Sequence, residues 1–180
     1  DSRAFGTGEP AVLTWWSVSP DGEVLAAGLC TDGSERSGIH LIDVGSGAAL
    51  PGPDLVVADA WTGGVQWLRD ASGFFVTALV GDPHDFRHGL FRWDRATGAT
   101  TPQDLPELDD QPDYLLASVA RDGRWVVGYR RLMRPLPVAL LDLDDPQGAW
   151  QPLITHGEHA VAGHVVDGAL LAITDLDAPN

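Results

Sequence analysis

Short apolar runs, each introduced by a turn-forming phrase, recur along the 180 residues of this chain. "SPDGEVLAAG" is echoed by "RDASGFFVTA", "ARDGRWVVG" and "VVDGALLAI". The runs "EVLAAGLC", "GFFVTALV", "RWVVGY" and "ALLAIT" are apolar at consecutive positions and do not alternate. A strand with one wet face alternates, whereas a strand covered on both faces reads as a continuous apolar run. Each run is therefore predicted to be an inner strand sandwiched between two layers. Its turn is assigned to Gly22, Gly73, Gly123 and Gly168, which stand 51, 50 and 45 residues apart. A period of that size suits four strands per repeat, the size of a propeller blade.

The flanking segments fill out the unit. "VLTWWSVSP", "GGVQWLRD", "YLLASVAR" and "GHVVD" supply a first strand before each turn. "GIHLIDVGSG", "GLFRWDRATG" and "PVALLDLDDPQG" supply a third, each with an aspartate near its end (Asp43, Asp94, Asp142) and then a glycine. Aspartate caps its own turn through local hydrogen bonds, and glycine accepts the positive φ of hairpin loops. A more polar stretch such as "WQPLITHGE" closes the unit as an outer strand. With 21 Gly and 13 Pro dispersed along the chain, no window sustains helical periodicity. The predicted fold is all-β: a β-propeller segment of about three and a half four-stranded blades. Their approximate bounds are 11–58, 59–108, 109–158 and a half blade at 159–180.

Composition narrows the partners. The 26 acids outweigh 11 bases, every one of them arginine, for a formal net charge of −15. Nucleic acid and anionic membrane both demand clustered positive charge, so neither is an expected partner. No apolar stretch approaches the ~18 residues of a membrane span. The opening "DSRAFGTGEP" has neither an initiator Met nor a signal-peptide layout and reads as a cut end. A cytoplasmic location is the expectation, with secretion left open. The single cysteine, Cys30, lies in an apolar run and is read as a buried, inert thiol.

Candidate chemistry is sparse. There is no Gly-x-Ser-x-Gly nucleophile elbow, phosphate loop or dinucleotide fingerprint, and no Cys pair for zinc. No catalytic residue, metal ligand or cofactor is assigned. "GDPHDFRHG" gathers Asp82, His84, Asp85 and His88, but its glycines and proline make it a solvated loop before a metal site. "DLPELDDQPD" lacks calcium-loop order and reads as an inter-blade connection. Arg130, Arg131 and Arg134 in "YRRLMRP" suggest either an anion clamp or, on so acidic a chain, ion pairs with neighbouring carboxylates. Trp16, Trp67 and Trp125 sit at strand positions where blade-to-blade packing is expected, and Trp61 stands where a blade begins, near a propeller's central channel.

The ordered phrases "SPDGEVLAAGLCTDGSE…IHLIDVGSGAALPG", "GGVQWLRDASGFFVTAL" and "ITDLDAPN" resemble the propeller of the prolyl oligopeptidase family and span nearly the whole chain. That resemblance implies a seven-bladed propeller capping an α/β-hydrolase domain that carries a Ser/Asp/His triad, none of which lies in this segment. The propeller would gate entry of short peptides, which the parent serine peptidase cleaves after proline. Carried over by position, the family's substrate-facing phenylalanine aligns with Thr62, beside Trp61. A second contact aligns with Tyr114 or Leu115. Loss of the phenylalanine at Thr62 puts the family's proline-sized pocket in question. The alternative is a stand-alone protein-binding module, in which two half propellers pair as a homodimer to satisfy their open edges.

Overall fold

The computed structural model describes residues 10–57, 63–82, 85–106, 114–130, 133–145, 148–154, 160–166 and 169–174, with no side-chain description for 85, 86, 160 and 161. Every described element is a strand. The first sheet holds β1 (Val12–Val18), β2 (Val24–Cys30), β3 (Ser37–Asp43) and β4 (Ala49–Leu50) in sequence order, with β5 (Val56–Val57) pairing β3. The second holds β6 (Val65–Trp67), β7 (Gly73–Asp82), β8 (Asp85–Asp94) and β9 (Thr100–Gln103). The third holds β10 (Leu115–Val119), β11 (Trp125–Arg130), β12 (Leu136–Asp142) and β13 (Gln151–Pro152). The last pairs β14 (Ala160–Val166) with β15 (Ala169–Thr174). All recorded pairings are antiparallel, the meander order of propeller blades. The chain divides into two compact units, Asp1–Pro102 and Gln103–Asn180.

In the first unit the two sheets face each other across a continuous core. Val24, Ala26, Ile39 and Leu41 of one sheet meet Val65, Trp67, Phe74, Val76 and Trp93 of the other. Trp15 seals the contact. Its indole N–H donates to Ser37 Oγ at 2.9 Å. A Cβ on Gly28 or Gly64 would stand 2.2 Å from that indole, so both positions must be glycine for the ring to lie flat. Gly64 adopts φ +75° as well, a region that side chains disfavour. Phe74 stacks on Trp93 at 4.7 Å and meets Trp67 edge-on at 5.0 Å.

The first three entry turns share two hydrogen bonds, a backbone bond (Gly22 to Ser19, Ala71 to Leu68, Gly123 to Ala120) and an amide donated to the turn aspartate (Asp21, Asp70, Asp122). In "SPDG" the Val24 N–H donates to Ser19 Oγ at 2.9 Å, Glu23 N–H to Asp21 Oδ1 at 3.0 Å, and Gly22 N–H to the Ser19 carbonyl at 2.9 Å. Asp43 and Asp94 cap their turns as expected, accepting from the N–H and hydroxyl of Ser46 and Thr97 respectively. Asp142 also caps its turn, accepting from the Asp144 N–H at 3.1 Å, and in addition pairs with Arg124 through Nη2 at 2.6 Å and Nε at 3.0 Å.

Several sequence expectations are corrected. The left-handed position of the second turn is filled by Ala71 (φ 57°), the counterpart of Gly22 and Gly123 (both φ 77°), and not by Gly73. Gly73 opens β7, where a Cβ would lie 2.1 Å from the Trp93 carbonyl oxygen. Trp16 does not pack between sheets. It is 65% exposed, because neighbouring strand residues point to opposite faces and Trp15 takes the inward one. The described part of "GDPHDFRHG" is strand and not loop: β7 and β8 stay in register out to Asp82↔Asp85, with His88 opposite Leu79, while Pro83 and His84 lie outside the described residues. The outer strand expected from "WQPLITHGE" is only Gln151–Pro152 among the described residues. β15 is exposed at every residue, whereas β2, β7 and β11 are mostly buried.

Candidate functional site

Beside their entry turns, the first and third sheets share one register. Ser17, Ala26 and Leu41 pair across β1, β2 and β3; Ser118, Val127 and Leu140 pair across β10, β11 and β12. Two residues further, Val24 opposes Asp43, and Trp125 opposes Asp142. What covers these equivalent faces differs. Over the first, the Trp67 indole fills the space and donates to the Ser17 carbonyl at 3.4 Å. Over the third, the described side chains of β14 that line the space are Val165 and Val166, and a cleft of about 590 Å³ opens between Ser118, Trp125, Leu140 and those valines, with Arg121 and Asp122 also in its lining.

The rest of the β14 contact is tight. The Gly163 N–H donates to the Pro135 carbonyl at 3.0 Å, and a Cβ there would touch the Pro137 ring at 3.0 Å. The Tyr129 and His164 rings lie 6.3 Å apart, and burial pushes the Tyr129 phenol above its ordinary pKa. The cleft thus has an apolar floor and a charged rim. Arg124 lies over the Trp125 ring at 4.9 Å and is held by Asp142 and, at 3.5 Å, by Asp144. Asp142 is held below the usual carboxylate range, chiefly by its hydrogen bond from Arg124.

The expected substrate-facing residues divide. Trp61 and Thr62 lie outside the described residues, immediately before Gly63 and Gly64. Tyr114 is buried, and Leu115 is half-buried at the start of β10, opposite Arg130. The arginine trio forms no surface clamp through Arg130: its side chain is buried, with Nε donating to the Pro106 carbonyl at 2.7 Å and Nη2 to the Leu105 carbonyl at 3.2 Å. Arg131 lies outside the described residues. Cys30 is buried as expected, its thiol directed to Asp32 and the Ser34 carbonyl. Sequence reasoning missed the cleft, although a signal was present: "QWLRD" of the second repeat becomes "HVVDG" in the fourth, trading tryptophan for valine.

The family model for the prolyl oligopeptidase N-terminal beta-propeller domain matches residues 3–180. The chain belongs to that family. Among solved structures it is similar to a prolyl endopeptidase studied for inter-domain dynamics in catalysis and specificity, with 17% identity and a TM-score of 0.61, covering 94% of this chain and 26% of that one. It is also similar to prolyl oligopeptidase B from Galerina marginata, in a mutant bound to a 35mer hydrolysis and macrocyclization substrate. There the identity is 16% and the TM-score 0.66, over 92% of this chain and 26% of that one. TolB from Acinetobacter baumannii matches at 17% identity and a TM-score of 0.53, over 96% and 39%. At these identities the likenesses concern the fold. No curated protein matches the chain. The chain spans about a quarter of the length of the prolyl oligopeptidases it matches.

Proposed function

We propose that this prolyl oligopeptidase propeller segment gates access of short peptides to a serine peptidase centre carried by a companion α/β-hydrolase domain, with cleavage after proline. The observation that carries the reading is the family match over residues 3–180. In such an enzyme the acyl-transfer chemistry belongs to the serine nucleophile and its base. The propeller contributes sterics and field. Trp61, Thr62, Tyr114 and Leu115 are the residues proposed to face substrate. With a net charge of −15, the segment favours approach of peptides with positive ends, an effect that salt screens. The test is kcat/KM of the enzyme containing this propeller on proline peptides that differ only in terminal charge. A higher value for basic termini at low salt, converging at high salt, is expected; equal values at low salt remove the charge filter. Failure to cleave any proline peptide removes the peptidase reading itself.

A specific observation favours a second reading, pairing of two such chains. Leu171 and Ile173 of β15 are 61% and 65% exposed, an open apolar strand beside Val166. Sedimentation of the 180-residue chain separates the readings: a folded monomer at high concentration sinks self-pairing.

A further inference from the structure

We infer that the cleft beside Ser118 and Trp125 is a docking site for an aromatic side chain of an extended peptide carrying an adjacent basic residue. The internal repeat shows what this slot accepts. At the equivalent place in the first sheet the Trp67 indole shares a buried core with Val24 and Leu41, and its N–H reaches the Ser17 carbonyl. In the third sheet the equivalent slot is bounded by Ser118, Trp125 and Leu140, and among the described residues β14 brings Val165 and Val166 to it in place of that indole. Its volume, about 590 Å³, falls within the ~300–1,000 Å³ of clefts that take small ligands. Trp125 adds an aromatic wall, which suits stacking with a planar group.

Charge selects the neighbouring residue of the peptide. Asp122 lines the cleft with Arg121, while Asp142 and Asp144 engage Arg124 on the Trp125 ring. The lining itself is balanced, Arg121 against Asp122. Beside it, at the Trp125 ring, Asp142 and Asp144 outnumber Arg124, so the surroundings of the cleft are negative, as is the chain as a whole. A cationic residue beside the aromatic anchor is therefore attracted, and an acidic one repelled.

The experiment titrates the 180-residue chain with the capped peptides Gly-Trp-Arg-Gly, Gly-Ala-Arg-Gly and Gly-Trp-Glu-Gly by calorimetry, at about 50 mM and about 500 mM salt. Saturable binding of the first is expected, at least about tenfold weaker for the alanine peptide and a few-fold weaker for the glutamate peptide. Only the arginine-over-glutamate preference is expected to shrink at high salt. Val166→Trp, at a half-exposed position, fills the slot and is expected to lower affinity at least about tenfold with circular dichroism unchanged. Asp122→Asn is expected to reduce only the arginine preference. Amide shifts in the unsubstituted chain should cluster at Ser118, Trp125 and Val165. Equal binding of the tryptophan and alanine peptides, full binding by folded Val166→Trp, shifts centred elsewhere, or no binding at all would each overturn the assignment. None of these readouts depends on peptidase activity.

Discussion

Strands β7 and β15 are written in the same apolar alphabet, "GFFVTA" against "ALLAIT", yet they end in opposite environments. Phe74 and Phe75 are fully buried, while Leu171 and Ile173 are 61% and 65% exposed. Phe74 lies in a core between two sheets, with Trp67 at one edge and Trp93 on its face. Among the described residues β15 has only β14 beside it in its sheet. A doubly apolar strand therefore states what it is built to be covered by. It does not state that this stretch of chain supplies the cover. The sharpest way to break the comparison is truncation. Phe74→Ala is expected to cost ~3–5 kcal/mol by opening a core cavity. Ile173→Ala should change stability by no more than about 0.5 kcal/mol, as exposed substitutions do. Urea unfolding of the two variants measures both, and comparable losses would show that β15 is covered in solution.

That contrast also marks what the sequence could reveal. The all-β meander and the strand-rich repeat were legible because local turn chemistry and apolar runs determine them. Which tryptophan of the Trp15–Trp16 pair turns inward was not legible, since that depends on the register of β1 against β2, which sets Trp15 opposite Gly28. The cleft was hidden for a related reason. It arises from a difference between two interfaces of the same repeat, visible only when Ser17 and Ser118 are known to occupy the same register. Trp61 and Thr62 rest on family position alone, since both lie outside the described residues.

A second pair of tryptophans sharpens the picture of how the first unit is sealed. The Trp15 N–H is satisfied by Ser37, itself 1% exposed, whereas Trp93 Nε1 is buried with no hydrogen-bond partner among the described residues. Replacing Trp15 with phenylalanine strands the Ser37 hydroxyl, a penalty of about 1–3 kcal/mol beyond lost packing. Trp93→Phe removes an unpartnered donor and escapes that penalty. Thermal unfolding is expected to rank Trp15→Phe the more damaging; the reverse order would show that Trp93 is hydrogen-bonded in solution.

Smaller effects separate the turns. Ala71 holds a positive φ that Gly22 and Gly123 hold without a side chain. Left-handed backbone costs alanine about 1–2 kcal/mol, and glycine's extra freedom when unfolded returns about 0.4–1. Ala71→Gly should therefore stabilise by up to about 1 kcal/mol. Gly22→Ala should destabilise by a similar amount, since its Cβ meets open space and only the backbone term remains. Denaturant midpoints of the two variants should move in opposite directions, and a shared direction would mean the turns are not equivalent.

The smallest effect concerns acid, and it too distinguishes one blade from another. Asp21 is held down to about 2 from an ordinary 3.8, first by the Ser19 hydroxyl, then by the Glu23 amide, with Arg95 contributing from the neighbouring sheet. Asp142 is held down chiefly by Arg124 of its own sheet. A carboxylate whose folded pKa is lowered contributes stability that is complete above about pH 3.8 and lost as pH falls towards 2. Both groups are solvent-exposed enough for salt to weaken the arginine part. Carboxyl NMR titration should show Ser19→Ala raising the Asp21 pKa more than Arg95→Gln does. For Asp142 the order of causes predicts that Arg124→Gln has the larger effect, because no serine hydroxyl supports that carboxylate. If Arg95→Gln moved Asp21 further than Ser19→Ala, the ion pair between sheets would govern the first turn as the Arg124 pair governs the third.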